Sequence, residues 1–385
     1  MSTFSPTEAP STFAIAAGGT GGHFYPALSV AEACRRRGHS VIFLVGGQHV
    51  LEHVELAGDR GFEAHAVPSP RLPCSPWHGV LFPWRFADAW WKTRHMLKSL
   101  APDALLGMGS FAAAPACAAA LSLRIPLTLH EGNAILGTAN RFFARWARHI
   151  AVSLPLADSS VAACKIHETG LPLRSRLLEA AHSPPDSFTV RSKYGLDVDK
   201  PVLLVFGGSQ GAVFLNELLP EAVMQMESGR SRFQIIHLTG SADTVAPLKQ
   251  AYAGHGITAA VLEREAAMED CYAAADLVLC RAGAATIAEL ALYGLPAILV
   301  PLPTAAKAHQ SINALTLAEE EAAIILDQAP GAAACLAALL DSWIKEPGRW
   351  EPRAQAIRRF AHPKAATEVC TLLEDSRTSG KTEKS

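Results

Sequence analysis

A chain of 385 residues is too long for one average domain and suits two of roughly 150–200 residues. Hydrophobic residues make up 49% and charged residues 18%, which excludes a disordered composition and supplies two cores. The net charge of −2 gives no global signal for nucleic acid. Charge is nevertheless uneven: residues 1–165 carry 14 Lys+Arg against 10 Asp+Glu, and the remainder 20 against 26, so an anionic partner is sought in the first half.

The eight cysteines form no C-x-x-C pair and sit mostly in apolar surroundings, the pattern of reduced thiols in a cytosol. Residues 1–11 and 376–385 read as polar tails, without the basic and apolar regions of a signal peptide. No apolar run approaches the roughly 20 residues that span a bilayer, so a membrane would be met only from its surface.

The first element is the apolar strand "FAIAA" (13–17), which enters Gly18, Gly19, Thr20, Gly21, Gly22 and His23, with a helix expected near Pro26 and a second strand "SVIFLVGG" (40–47). Glycines let the backbone approach an anion, and a helix start offers unpaired N–H groups and partial positive charge. The dinucleotide spacing G-x-G-x-x-G fails, because position 24 is Phe, and no Gly-Lys-Ser/Thr follows to make an NTPase loop. An anion site is favoured over a packing turn. His23 at the positive helix start would be held neutral and able to accept a proton.

Residues 77–98 hold Trp77, Phe82, Trp84, Phe86, Trp90 and Trp91 among Arg85, Lys92, Arg94 and Lys98. Rings that enter a headgroup layer beside cations that meet anionic lipid make an interfacial segment, with an all-core helix as the plainer reading. After strand "PLTLH" come His130, Glu131, Asn133 and Asn140, a polar cluster at a strand's carboxyl end. An irregular stretch from Leu171 to Lys200 places a domain boundary near 165–185. Its "DVD" (197–199) precedes a strand rather than following one, so it reads as a solvated turn and no metal is expected.

The pattern then restarts. "LLVFGGSQGA" (203–212) repeats strand, glycine loop and helix, with Ser209 able to donate to a phosphate. "LCRAGAATIAELALYGLPAILVPLP" (279–303) repeats it again: Arg281 beside a helix start suits a diphosphate leaving group, and Glu289 two turns on can accept from ribose hydroxyls. "AHQSINA" (308–314) adds His309, Gln310 and Asn313 as sugar-hydroxyl partners. Strands alternating with helices throughout predict an α/β chain of two Rossmann-like parallel-sheet domains facing across a cleft.

Taken in order, GGTGGH (18–23), GMGS-F (107–111), HEGN with N-R (130–141), GGSQGA (207–212), CRAGA-T–E (280–289) and HQ-N (309–313) closely resemble the MurG family of N-acetylglucosaminyltransferases. The resemblance runs from about residue 12 to 370 and implies a GT-B fold. It implies an inverting transfer from UDP-N-acetylglucosamine to the 4-hydroxyl of undecaprenyl-linked muramyl-pentapeptide (lipid I), giving lipid II in peptidoglycan synthesis, without metal or cofactor. It further implies an N-terminal acceptor and membrane-facing domain (12–168), a C-terminal UDP-sugar domain (169–355) and closing helices (356–375) packing back on the first.

Carried over by position, His23 is the expected base, and Arg281 and Glu131 complete the catalytic set. The donor is expected at Thr20, Gly21, Gly22, Asn133, Arg174, Ser209, Gly283, Ala284, Glu289, Gln310 and Asn313. The acceptor is expected at Gly18, Gly19 and Asn140, with Thr20 also matching the loop that meets its diphosphate. Phe82, Trp84, Arg85, Trp90, Trp91 and Lys92 are the expected membrane face. The implied location is peripheral, on the cytoplasmic face of the inner membrane, with an anionic lipid surface and cell-wall synthesis proteins as partners and no nucleic acid. Rival readings are a diacylglycerol glycosyltransferase, a UDP-N-acetylglucosamine 2-epimerase-type isomerase and a nucleotide-sugar sensor.

Overall fold

The computed structural model describes residues 10–18, 21–70, 76–157, 161–208, 212–226, 229–305 and 308–382. The chain divides into two units, residues 1–174 with 362–385, and residues 175–361.

In the first unit the strands are β1 (Thr12–Gly18), β2 (Ser40–Gly46), β3 (Glu63–Ala66), β4 (Ala104–Gly107), β5 (Leu127–Glu131), β6 (His149–Val152) and β7 (Ile166–Glu168). Between them run helices α1 (Gly21–Arg36), α2 (Val50–Asp59), α3 (Pro76–Leu100), α4 (Ala114–Ser122) and α5 (Thr138–Phe143). All seven strands are parallel, in the order β3-β2-β1-β4-β5-β6-β7. The sheet is buried on both faces, and β1 shows how. Phe13, Ile15 and Ala17 join one core with α1, while Ala14 and Ala16 join another that includes Leu97 of α3 and Ala116 of α4. A strand that feeds two cores needs continuous apolarity rather than alternation, which is what its sequence supplies.

The second unit repeats the plan. Its helices begin with α6 (Ser175–His182) and α7 (Ser187–Lys193), followed by β8 (Val202–Phe206), α8 (Val213–Gln225), β9 (Gln234–Leu238) and α9 (Val245–Gly254). Next come β10 (Ala259–Leu262), α10 (Met268–Ala274), β11 (Leu277–Cys280), α11 (Ala284–Tyr293), β12 (Ala297–Leu299) and α12 (His309–Glu319). The unit ends with β13 (Ala323–Ile325), α13 (Ala332–Lys345) and α14 (Glu351–Arg358). Six parallel strands lie in the order β10-β9-β8-β11-β12-β13. The expected pair of Rossmann-like parallel sheets is therefore present.

Helix α14 stays with the second unit, where Arg358 lies against Gly294, and only the chain from His362 joins the first. There α15 (Ala365–Thr382) buries Val369, Leu372 and Leu373 in the core built on Phe13 and Phe24. Their burial contributes on the order of 5 kcal/mol before the cost of ordering the helix. Polar ties fix its register: Glu374 takes both Nε and an Nη of Arg37 and lies 2.7 Å from His39 Nε2, while Ser376 Oγ is 2.9 Å from Thr128 Oγ1. His39, Cys370 and Glu374 bring three possible metal-ligand atoms within 4.8 Å of one another. The Ser11 N–H donates to His39 Nδ1, however, so Nε2 carries the proton given to Glu374, and the trio is a hydrogen-bonded tie rather than a metal site.

Candidate functional site

In each sheet the strand order reverses beside the first strand, between β1 and β4 and between β8 and β11. Loops diverge to opposite sides there, leaving room at the carboxyl ends for a ligand.

In the first unit this point carries the glycine loop. Thr20 and Gly19 lie outside the described residues. Helix α1 begins at Gly21, five residues before the expected start near Pro26, so Gly21, Gly22 and His23 form its first turn. The early start follows from what the helix buries: Phe24, Ala27, Leu28, Ala31 and Cys34 recur at helical spacing. Pro26 is tolerated inside it but offers no N–H to the Gly22 carbonyl. Gly18 has a separate constraint. It pairs in register with Gly46, and a Cβ on it would stand 2.0 Å from the Gly46 carbonyl oxygen.

His23 faces the end of β4. A methyl built on Gly109 (φ +74°) would lie 3.6 Å from His23 Cδ2, 3.3 Å from Asn140 Nδ2 and 3.6 Å from the His130 carbonyl oxygen. Glycine at 109 thus brings the backbone close to three residues of the site. Ser110 follows with φ +62°, a conformation that costs a non-glycine residue about 1–3 kcal/mol and is held here by its Oγ accepting from the Ala112 N–H. Neither residue stood out in the sequence beyond the family motif.

The neighbouring polar cluster is a network. Glu131, 5% exposed, accepts from the N–H and side-chain amide of Asn133 at 3.2 and 3.1 Å, from the Gly137 N–H at 2.9 Å and from Asn140 Nδ2 at 3.0 Å. Four donors occupy both carboxylate oxygens, so this geometry gives Glu131 the work of shaping the loop from 132 to 140. His130 is buried beside Ser153 and the Gly170 carbonyl, and burial lowers its pKa to about 4, with His23 adding to the shift. It is therefore neutral at physiological pH. Arg174, last in its unit and exposed, places its guanidinium 5.6 Å from the ring centre of Tyr25 on α1.

On the same unit α3 sorts its aromatic residues. Phe82 and Phe86 gather around Phe111 with tilted rings, and Phe86 and Trp90 pack on the core. Trp84 and Trp91 are 76% and 55% exposed, with Val80, Leu81 and Arg85 also outward, and Lys92 is exposed but paired with Asp88. Among the described residues no helix is long and apolar enough to cross a membrane.

In the second unit, Ser209 lies outside the described residues, and the loop before it ends at Gly208 with φ +86°. Helices α8 and α11 both start without a side-chain cap, with Ala212 and Gly283 at their N-caps. Both helices follow adjacent strands, and a helix start at the carboxyl edge of a parallel sheet presents N–H groups that suit an anion. Asn313, fully buried, donates to the Ala282 carbonyl at 3.1 Å and so holds the turn before Gly283 and Ala284. Gln310 Oε1 accepts from the Leu302 N–H at 3.0 Å.

Arg281 follows β11 as expected, but its guanidinium donates to the Val300 and Pro301 carbonyls at 3.1 and 3.3 Å and to Gln328 Oε1 at 3.1 Å. These contacts weld the ends of β11 and β12 and the loop after β13. Glu289 accepts from Tyr272 Oη at 2.5 Å, and burial followed by the Glu289 charge raises the Tyr272 pKa well above its ordinary value. Tyr272 and Gln328 are supporting residues with no signal in the sequence. The "DVD" segment is a turn in which Asp197 accepts from the Asp199 N–H.

Comparison with known proteins agrees with this layout. The glycosyltransferase family 28 N-terminal domain matches residues 13–152 and the family 28 C-terminal domain residues 202–369. The UDP-N-acetylglucosamine--N-acetylmuramyl-(pentapeptide) pyrophosphoryl-undecaprenol N-acetylglucosamine transferase of Stutzerimonas stutzeri (strain A1501) is 37% identical, over 93% of this chain and 96% of that protein. The protein of the same name from Nitrosomonas eutropha (strain DSM 101675 / C91 / Nm57) is 38% identical, over 94% and 98%. The crystal structure of MurG from Acinetobacter baumannii superposes with a TM-score of 0.77 at 31% identity, over 95% of this chain and all of that one, which makes the fold GT-B. The chain belongs to glycosyltransferase family 28 and, within it, to the MurG family of N-acetylglucosamine transferases.

Proposed function

We propose that this protein transfers N-acetylglucosamine from UDP-N-acetylglucosamine to the 4-hydroxyl of lipid I, giving lipid II and UDP. Similarity over nearly the whole chain to curated transferases of that name is the observation that carries the reading, and it disfavours the isomerase and diacylglycerol alternatives.

The first unit takes the acceptor, and the donor is taken mainly by the second. His23, in the first turn of α1 beside the Asn140–Glu131 network, removes the proton from the acceptor hydroxyl as its oxygen attacks C1 of the donor sugar. The C1–O bond to UDP breaks on the opposite face, so configuration inverts and a β1→4 link forms. The uncapped starts of α8 and α11 take the diphosphate, with Gly283 and Ala284 as backbone donors. Glu289, aligned by Tyr272, holds the ribose. Arg281 keeps the helix start in place and contributes its positive charge from a buried position, where burial lowers its pKa. Glu131 acts as a positioning residue. Gln310, Asn313, Asn133, Arg174, Thr20 and Ser209 are assigned to the donor by family position.

The outward face of α3, with Trp84, Trp91 and Arg85, rests on an anionic membrane surface at the cytoplasmic side, where a polyprenyl substrate is held. Transfer of labelled N-acetylglucosamine from its UDP donor to a short-chain lipid I analogue tests the reading. Turnover only with diacylglycerol, or release of free N-acetylmannosamine, would reject it.

A further inference from the structure

Arg174 is the last residue of the first unit, and the backbone leading to it is fixed. Leu171 and Leu173 are buried, and the Gly170 N–H donates to the Val152 carbonyl at 3.1 Å. The Arg174 side chain is exposed, and a long side chain of this kind loses much rotamer freedom when it meets a ligand. One ring limits that freedom beforehand. The guanidinium carbon lies 5.6 Å from the centre of the Tyr25 ring, within the range of a cation–π contact. Among the described residues no carboxylate and no carbonyl takes its N–H groups. A carboxylate partner would cancel the charge of the guanidinium. A ring face keeps that charge and leaves the N–H donors open to an anion.

The ring in turn has a seat. Tyr25 stands in α1 shortly after His23, and glycine at 21 makes room for it: a methyl built there would lie 3.1 Å from Tyr25 Cε2. The Phe24 ring meets it edge-on, with centres 6.2 Å apart. The phenol oxygen makes no hydrogen bond among the described residues; the hydrogen bond at Tyr25 is that of its carbonyl, which accepts from Ser29 Oγ. The part of this residue in use is therefore the face of the ring, not the hydroxyl.

We propose that Tyr25 is a positioning residue for the donor: its ring holds the Arg174 guanidinium beside the first turn of α1, charged and open, before the donor diphosphate arrives. The inference rests on the assignment of Arg174 to the donor. Ordering the side chain in advance removes part of the entropy that binding would otherwise cost. The ring supplies affinity for the donor and has no part in the proton transfer.

The test uses the full-length protein, UDP-N-acetylglucosamine and a short-chain lipid I analogue. Tyr25→Leu should raise KM for the donor, and weaken UDP in calorimetry, about two- to fivefold, the worth of an exposed cation–π contact. Its kcat, its KM for the acceptor and its melting temperature should stay near native, a split that a merely structural role would not produce. Tyr25→Phe, which keeps the ring, should retain native affinity. Arg174→Ala should weaken the donor about tenfold by loss of a charge-assisted bond, and adding Tyr25→Leu to it should cost nothing further. Native donor affinity in Tyr25→Leu, an equal loss in Tyr25→Phe, or additive losses in the double variant would each overturn the proposal while Arg174 stays assigned to the donor. Native donor affinity in Arg174→Ala would overturn that assignment and the proposal with it. Absence of transfer in the unaltered protein would reject the reaction instead, and calorimetry with UDP would still decide the role of Tyr25.

Discussion

Asn140 donates through one side-chain amide to the Glu131 carboxylate at 3.0 Å and to the His130 carbonyl at 2.9 Å. This amide ties the end of β5 to the start of α5 and keeps both residues beside Gly109 and His23. Asn140→Ala leaves a buried carboxylate short of a donor, so a loss of about 1–3 kcal/mol is expected in thermal or urea melts. Transfer should fall by about a hundredfold through misplacement of the neighbouring groups, while UDP affinity, read by calorimetry, stays near native. Asn140→Asp should be worse in both respects, because it sets like charges together. Native turnover in Asn140→Asp would show that the network does not serve the reaction.

His23 gives a different signature. As a general base it contributes about 10²–10⁴-fold, so His23→Ala should reduce kcat by that order with little change in the melting temperature. Retained kcat, measured with labelled donor and a lipid I analogue, would remove the assignment.

Gly18 and Gly21 lie in the same motif yet should respond differently. A Cβ at 18 meets the Gly46 carbonyl at 2.0 Å, backbone that cannot yield, whereas one at 21 meets the Tyr25 ring at 3.1 Å, a half-exposed side chain that can turn. Gly18→Ala should therefore cost about 3 kcal/mol or more by overpacking, and Gly21→Ala under about 1 kcal/mol. Chemical denaturation of both decides it.

The tryptophans of α3 separate by direction. Trp84→Ala with Trp91→Ala should reduce pelleting with anionic vesicles several-fold and leave the melting temperature within a few degrees. Trp90→Ala should do the reverse, because that ring packs on the core. Equal vesicle binding in the double variant would remove the membrane face.

Two buried histidines set an acid limit. Burial lowers His130 and His237 from 6.5 to about 4. Between those values the unfolded chain binds more protons than the folded one, so stability rises with pH across the window and falls as pH drops from about 6.5 toward 4. In His237 the neutral ring is used on both sides: Nε2 donates to Asn216 Oδ1 at 2.9 Å and Nδ1 accepts from Tyr252 Oη at 2.8 Å. The orientation of Asn216 is set by its own bond to the Thr239 carbonyl. Each histidine should withdraw on the order of 3 kcal/mol by pH 4. Urea melts from pH 7 to 4 that show no decline in either unit would contradict this.

Much of the architecture was legible because parallel sheets leave a plain trace. Strands such as "FAIAA" and "LLVF" are apolar at every position since both faces are covered, and the glycine loops after them mark the carboxyl edge. The start of α1 was misplaced because glycine and proline read as loop, whereas burial of Phe24 and Leu28 makes Gly21 helical. The individual roles of Arg281 and Glu131 were not legible. Residue type told that a cation and an acid stood at strand ends, but their partners, Val300, Gln328 and Gly137, are distant in sequence or reached through backbone N–H groups and carbonyls that leave no mark in a string of letters. The sorting of α3 failed for a related reason: which tryptophan turns inward depends on where Phe111 and the core lie.

The return of the chain at His362 has a consequence for how this protein is made. Translation delivers strands β1 to β7 first, yet the helix that seals one face of their sheet follows only after the whole of the second unit. The second unit, complete by Ala361, can close before the first. During that interval Phe13, Phe24 and Leu28 lack the cover of Val369 and Leu373. A stop codon or proteolytic nick near residue 362 would thus spare the second unit and leave the sheet of the first without its covering helix and prone to aggregate.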